Sequence, residues 1–196
     1  MKLDIRTCRK AVNMVLLRAA VGLLLGTAAV AAPTRLTVRD EIVTAHTLIS
    51  DIGNINAGVE SLRKHVAAFD GSPLTEAPLL ADFTAIHLAN RKGFADANLR
   101  AAKFNAKESR DIVQFTIDSV GNSIPAAVRE TVAKKPEFER TGQSPVVVGT
   151  FKLFLDDHDT FSAALQQKIS ADFARAQAVV SEIHHAIQSG IDAFSA

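Results

Sequence analysis

The sequence predicts an all-α protein, a single up-and-down bundle of about five amphipathic helices. Apolar residues recur at steps of three and four along most of the chain, and no stretch alternates apolar with polar residues as a half-buried strand does. The gaps between periodic stretches are short and hold Gly, Pro or capping residues, so neighbouring helices should run antiparallel. The chain has 196 residues, ordinary for one domain, and at 47% hydrophobic and 22% charged it is no disordered polymer.

Residues 1–31 read as a secretory leader. A basic opening, MKLDIRTCRK, leads to Arg18, and Ala19 to Ala32 form an uncharged run of small and apolar residues. Ala29-Val30-Ala31 matches the small-x-small cleavage signal, with the cut between Ala31 and Ala32. That run is shorter than the roughly 20 apolar residues of a spanning helix, and Arg18 blocks its extension. The expected domain is then 32–196. It carries neither a later membrane span nor the hydrophobic tail of a glycolipid-anchor signal.

The first helix is expected from about Val38 to Phe69. Val38, Ile42, Ala45, Ile49, Ile52, Ile55, Val59, Leu62, Val66 and Phe69 repeat every 3.5 residues or so on average, about the period of a left-handed supercoiled bundle. Asp70-Gly71-Ser72-Pro73 stops it. A second covers Thr75 to Lys103, with Leu79, Phe83, Ile86, Phe94 and Ala97 inward and Asn90 and Gly93 weakening the stripe. A third opens at Asn105, whose side chain can cap while Glu108 reaches back. It carries Ile112, Phe115, Ile117, Val120, Ile124, Val128 and Val132, and Gly121 and Pro125 should kink or break it.

A fourth helix begins at Ser144-Pro145, a cap residue followed by Pro at the first helical position. Phe151, Phe154, Leu155, His158, Phe161, Leu165 and Ile169 then share an arc of roughly 120°. The fifth follows Ser170, with Phe173, Ala176, Val180, Ile183, Ile187, Ile191 and Phe194 on its buried side.

Charge and composition exclude several functions. Residues 1–31 hold five basic residues against one acid, so the remainder carries 17 basic and 20 acidic residues, a net charge of −3. Without a basic surplus there is little electrostatic reason to hold nucleic acid. Cys8, Met1 and Met14, the only sulfur residues, all leave with the leader, so the domain has no disulfide or thiolate nucleophile and must rely on its apolar core. It has no Trp or Tyr, and all eleven Phe residues lie within it. No Asn-x-Ser/Thr sequon occurs.

No catalytic, metal or cofactor motif emerges. Asp156-Asp157-His158-Asp159 is the densest group of potential ligands. On a helix, though, His158 points into the apolar stripe while the acids project at other angles, so the four cannot meet at one ion. His184-His185 lack the i, i+4 geometry of a zinc helix, and the remaining His residues (46, 65, 87) match no ligand spacing. The bland reading of His158 is a buried histidine beside solvated acids.

The remaining asset is apolar area on helices. A bundle can enclose an elongated slot between them, or open and lay its stripes on an apolar surface. Most Phe and Ile side chains should simply fill the core. Phe83, Ile86, Phe115, Phe151, Phe154 and Phe161 are the candidates to line a slot, because rigid rings pack imperfectly beside small neighbours such as Gly93 and Gly121.

Four stretches together resemble a known family: DIGNINAGVESLRKHVAAFDGS (Asp51 to Ser72), KKPEFERTG (Lys134 to Gly142), HDTFSAALQQKI (His158 to Ile169) and IQSGIDAFS (Ile187 to Ser195). Their order and spacing resemble the fungal hydrophobic surface-binding protein A family, which includes the cell wall galactomannoproteins. The resemblance runs from about Val38 to Ser195. It implies a secreted or wall-associated helical bundle without catalytic activity. Some members adsorb to hydrophobic solids and help recruit a polyester-degrading hydrolase, and others bind long-chain fatty acids inside the bundle. The Ser/Thr-rich tail and glycolipid-anchor signal of several members are not found here, so free secretion is expected as readily as attachment to the wall.

The first functional expectation is therefore a non-catalytic binder of long-chain fatty acids or similar apolar ligands. The second is adsorption to hydrophobic surfaces as a docking platform for a secreted hydrolase. The third is a structural wall protein associated with cell wall polysaccharide and carrying O-linked glycans. An enzyme would instead lose turnover on substitution of His158 or its neighbouring acids.

Overall fold

The computed structural model describes residues 42–196. The leader, its cleavage between Ala31 and Ala32, and Val38 lie outside the described residues. Among the described residues the elements are all helical: α1 (Ala45–Ala68), α2 (Pro73–Leu99), α3 (Ala106–Asp118), α4 (Val120–Ala133), α5 (Lys135–Arg140), α6 (Ser144–Gln166) and α7 (Phe173–Ser195).

Local chemistry explains most boundaries. Thr44 caps α1 through a reciprocal pair with Thr47, each side chain accepting the other's backbone N–H at 3.1–3.2 Å. The apolar repeat runs past this start, so Ile42, expected inward, is 65% exposed, and the adjacent Val43 is buried instead. Gly71, at φ +84°, makes the turn into α2, and Pro73 takes the first turn of that helix. Asn105 caps α3 as expected. Its Oδ1 accepts the N–H groups of Lys107 and Glu108 at 2.9 Å, and Glu108 Oε2 accepts the N–H of Asn105 at 2.9 Å.

The third expected helix is two. It breaks at Ser119, whose backbone (φ −108°, ψ −97°) belongs to neither helix, and Pro125 then sits inside α4. Gly121 explains the position of the break. A Cβ there would stand 2.9 Å from Val179 Cγ2 and 3.2 Å from the Thr116 carbonyl, so only Gly lets the chain pass this close to α7. Ser144 does not cap α6. It lies inside the helix, Gln143 stands before it, and no side-chain bond closes that end. Phe173, expected inward, is 53% exposed. It is the first residue of α7, where the Cα–Cβ bond tilts towards the helix N-terminus and carries the ring past the end of the packed stripe.

Five helices close into a ring. α1 packs on α2 and α4, α7 packs on α4 and α6, and α6 packs back on α2. The core runs down the middle, with Leu48, Ile52, Ile55, Val59 and Leu62 of α1 facing Ile183, Ile187 and Ile191 of α7. An aromatic floor closes one end. Phe69 stacks on Phe138 of α5 at 4.4 Å, and Phe194 meets both Phe138 (5.8 Å) and Phe151 (6.4 Å) edge-on. Lys134 and Lys135 hold this floor in place by donating to the carbonyls of Phe69 (2.9 Å) and Ala193 (2.7 Å), at the ends of α1 and α7.

Candidate functional site

Two apolar cavities lie inside the ring. The first, about 60 Å³, is lined from α1, α2, α3, α4, α6 and α7 by residues that include Ile52, Ile112, Val120, Phe161, Leu165, Val179 and Ile183. The second, about 50 Å³, lies towards the aromatic floor and is lined by residues that include Val59, Leu62, Ile86, Val128, Phe151, Phe154 and Ile187. Ile55, Asn90, Ile124 and His158 line both, so the two adjoin across a waist made by one residue each from α1, α2, α4 and α6. On α6 the lining runs from Phe151 to Gln166, about 22 Å at 1.5 Å per residue.

The six candidate lining residues divide. Ile86, Phe151 and Phe154 border the second cavity and Phe161 the first. Phe83 stands behind Phe154, ring centroids 6.0 Å apart, and Phe115 packs half-buried on the core against Gly53; neither borders a cavity. Their phase on the helix is right, but the free space lies one residue row away. Asn90 and His158 were not on that list. The signal for Asn90 was present, since it falls on the buried row between Ile86 and Gly93, where a polar side chain needs a reason to be.

The waist is polar in an apolar surround. Asn90 is 8% exposed and donates from Nδ2 to the Ile86 carbonyl at 2.9 Å. His158 is 9% exposed, and its Nε2 lies 3.0 Å from the Val180 carbonyl. Burial lowers the pKa of His158, the Val180 hydrogen bond opposing only in part, so the ring is neutral at pH 7.

The acids around His158 serve its neighbours. Asp157 Oδ2 lies 2.7 Å from His87 Nδ1 on α2, and Asp159 Oδ1 lies 2.9 Å from His184 Nδ1 on α7. Each carboxylate tethers a different helix. Among the described residues no three metal-ligating side chains converge.

The sequence model of the family described as hydrophobic surface binding protein A matches residues 45–167, from the start of α1 to the residue after α6. The chain belongs to that family. No curated protein matches it in sequence. The fold is shared with solved structures. Afmp4p, solved in complex with palmitic acid, is 24% identical with a TM-score of 0.73, over 77% of this chain and 99% of that one. Ligand-binding domain 1 of the Penicillium marneffei MP1 protein, solved with arachidonic acids, is 21% identical with a TM-score of 0.69, over 75% of this chain and 95% of that one.

This hydrophobic surface binding protein A member also carries an apolar exterior. Leu74, Leu80, Leu88 and Leu99 of α2 are 87%, 46%, 60% and 49% exposed, with exposed Ala77, Ala81, Thr84 and Ala85 among them. No exposed residue from Pro73 to Asn90 is charged. From Pro73 to Asn90, α2 is thus apolar on both sides, inward to the slot and outward to solvent, and the exposed Arg91 and Lys92 end this outer face before Leu99. No helix among the described residues is long and apolar enough to cross a membrane.

Proposed function

We propose that this protein is a secreted, non-catalytic binder of long-chain fatty acids, which it holds in the slot within the helical ring. The carrying observation is the pair of apolar cavities that adjoin at one waist and lie along α6. Burying a sixteen-carbon chain is worth on the order of 11 kcal/mol gross at about 0.8 kcal/mol per CH₂. Association costs bring that to roughly micromolar affinity or tighter. The fatty acids bound to the solved relatives of the same fold support the reading. Ile86, Phe151, Phe154 and Phe161 are the proposed lining residues, with Phe83 and Phe115 backing them. The domain is 32–196 after a leader of 1–31, with the fungal cell wall or its surroundings as destination.

Native mass spectrometry tests this directly, since a domain without Trp or Tyr is unsuited to intrinsic fluorescence. Palmitic or arachidonic acid should give a one-to-one adduct that survives gentle activation. Ile124→Phe, which places a ring at the waist, should abolish it. No adduct, or a ladder of loosely held molecules, would overturn the reading.

A second reading rests on the outer face of α2. Its Leu and Ala surface, uncharged from Pro73 to Asn90, suits adsorption to hydrophobic solids, from which a bound hydrolase could be recruited. The two readings use opposite faces of one helix and are separable by mutation.

A further inference from the structure

Building on the fatty-acid reading, we infer that the slot prefers an oxygenated fatty acid, one with a hydroxyl near mid-chain that hydrogen-bonds to Asn90 at the waist. A slot that served only saturated alkyl chains would gain from an apolar residue at each waist position. Here two of the four are polar, and both are nine-tenths buried or more.

The hydrogen-bond inventory states which group they await. The Ile86 carbonyl can only accept, so the atom 2.9 Å from it is Asn90 Nδ2, and the amide orientation follows. Asn90 Oδ1 accepts no hydrogen bond from any described residue, and the second Nδ2 hydrogen has no described acceptor. The Val180 carbonyl likewise places the His158 proton on Nε2, leaving Nδ1 as an acceptor with Ser162 Oγ at a distant 3.4 Å. The waist thus presents acceptors and a single spare N–H.

A carboxylate, which only accepts, is poorly matched to such a place. A hydroxyl is well matched, because it donates to Asn90 Oδ1 and accepts from Nδ2. A bare methylene crossing the waist would shut Oδ1 away from water with no donor, which a buried acceptor tolerates badly. The carboxylate then belongs towards the end of the first cavity that holds Ser162 and Gln166. From Gln166 to His158 is about 12 Å along α6 at 1.5 Å per residue, which puts the hydroxyl well down the chain from the head group.

Oleic and ricinoleic acids differ only by a mid-chain hydroxyl and form the test pair. Offered together at equal concentration in native mass spectrometry, ricinoleic acid should be taken up about tenfold in preference, the typical worth of one satisfied buried hydrogen bond. In Asn90→Leu the preference for ricinoleic over oleic acid should vanish or reverse. A parallel pair, stearic and α-hydroxystearic acid, places the hydroxyl beside the carboxylate and should show no preference. Equal uptake of oleic and ricinoleic acids by the unaltered protein overturns the inference and leaves the fatty-acid reading standing. A preference for α-hydroxystearic acid also overturns it, by moving the effect to the head group. Uptake of none of the four acids overturns both. The comparison of ligands on the unaltered protein decides the matter even if Asn90→Leu does not fold.

Discussion

Asp157 of α6 and His87 of α2 form the most buried His–carboxylate contact in the bundle, with 2.7 Å between Oδ2 and Nδ1. The carboxylate is 1% exposed, and its Oδ1 has no hydrogen-bond partner among the described residues. One oxygen joins two neighbouring helices of the ring while the other is shut away from water. Asp51 of α1 repeats the arrangement, with Lys92 of α2 at 2.5 Å from Oδ1 and Oδ2 unpartnered.

The pair predicts a pH dependence. Burial raises the Asp157 pKa from the ordinary 3.8, with His87 opposing, and burial raises that of Asp51, with Lys92 opposing. An acid whose pKa is raised on folding holds its proton more tightly in the folded state, so its contribution to stability falls as pH rises from 3.8 through the raised value. Acidification from neutral pH should therefore raise the Tm of the protein relative to that of Asp157→Asn, which has no proton to gain. Calorimetry of both proteins across that range checks it. A constant difference in Tm would refute the assignment.

Gly93 and Phe161 predict an overpacked slot. A Cβ at Gly93 would stand 2.7 Å from Phe161 Cζ and 2.9 Å from Cε1, so the ring must give way into the first cavity. Gly93→Ala should cost about 1–3 kcal/mol, measured by urea unfolding with far-UV circular dichroism. It should also weaken fatty-acid uptake, whereas an unrelated surface substitution of equal thermal cost should not.

The Asn105 cap is a local test. Asn105→Ala removes the acceptor for two N–H groups and should cost about 1 kcal/mol, lowering Tm by about 2–4 °C for a chain of this size. Asn105→Asp, which keeps an acceptor at a helix N-terminus, should restore most of it.

The outer face of α2 predicts a separation of functions. Leu74→Lys with Leu88→Lys, 87% and 60% exposed in the native protein, should change stability by no more than about 0.5 kcal/mol per site. Adsorption to polystyrene beads should fall sharply while uptake of fatty acid is kept. Unchanged adsorption would remove this face from the second reading.

Much of this was legible in the residues. The stripes of α1 and α7, the Asn105–Glu108 box and the Pro73 start are local facts, set by backbone groups and side chains within a turn of each other. The inward phase of His158 was equally plain, and so was the inability of its neighbouring acids to share one ion with it. What they do instead was hidden, because Asp157 meets His87 and Asp159 meets His184 across 70 and 25 residues of chain. The break at Ser119 came two residues before Gly121, one of the two residues expected to cause it, whereas Pro125 sits inside α4. That Gly121 lies against Val179 of a distant helix was not visible in the sequence.

By itself the sequence determined most of the helices, most of their buried rows and the family, since each depends on spacing within a few turns. Tertiary structure decided the order of the helices around the ring, which of the apolar rows meets free space, and that Asn90 and His158 converge at one waist. Periodicity states which side of a helix is buried. Where packing leaves a gap is set by the shapes of five helices at once, and no single helix carries that information.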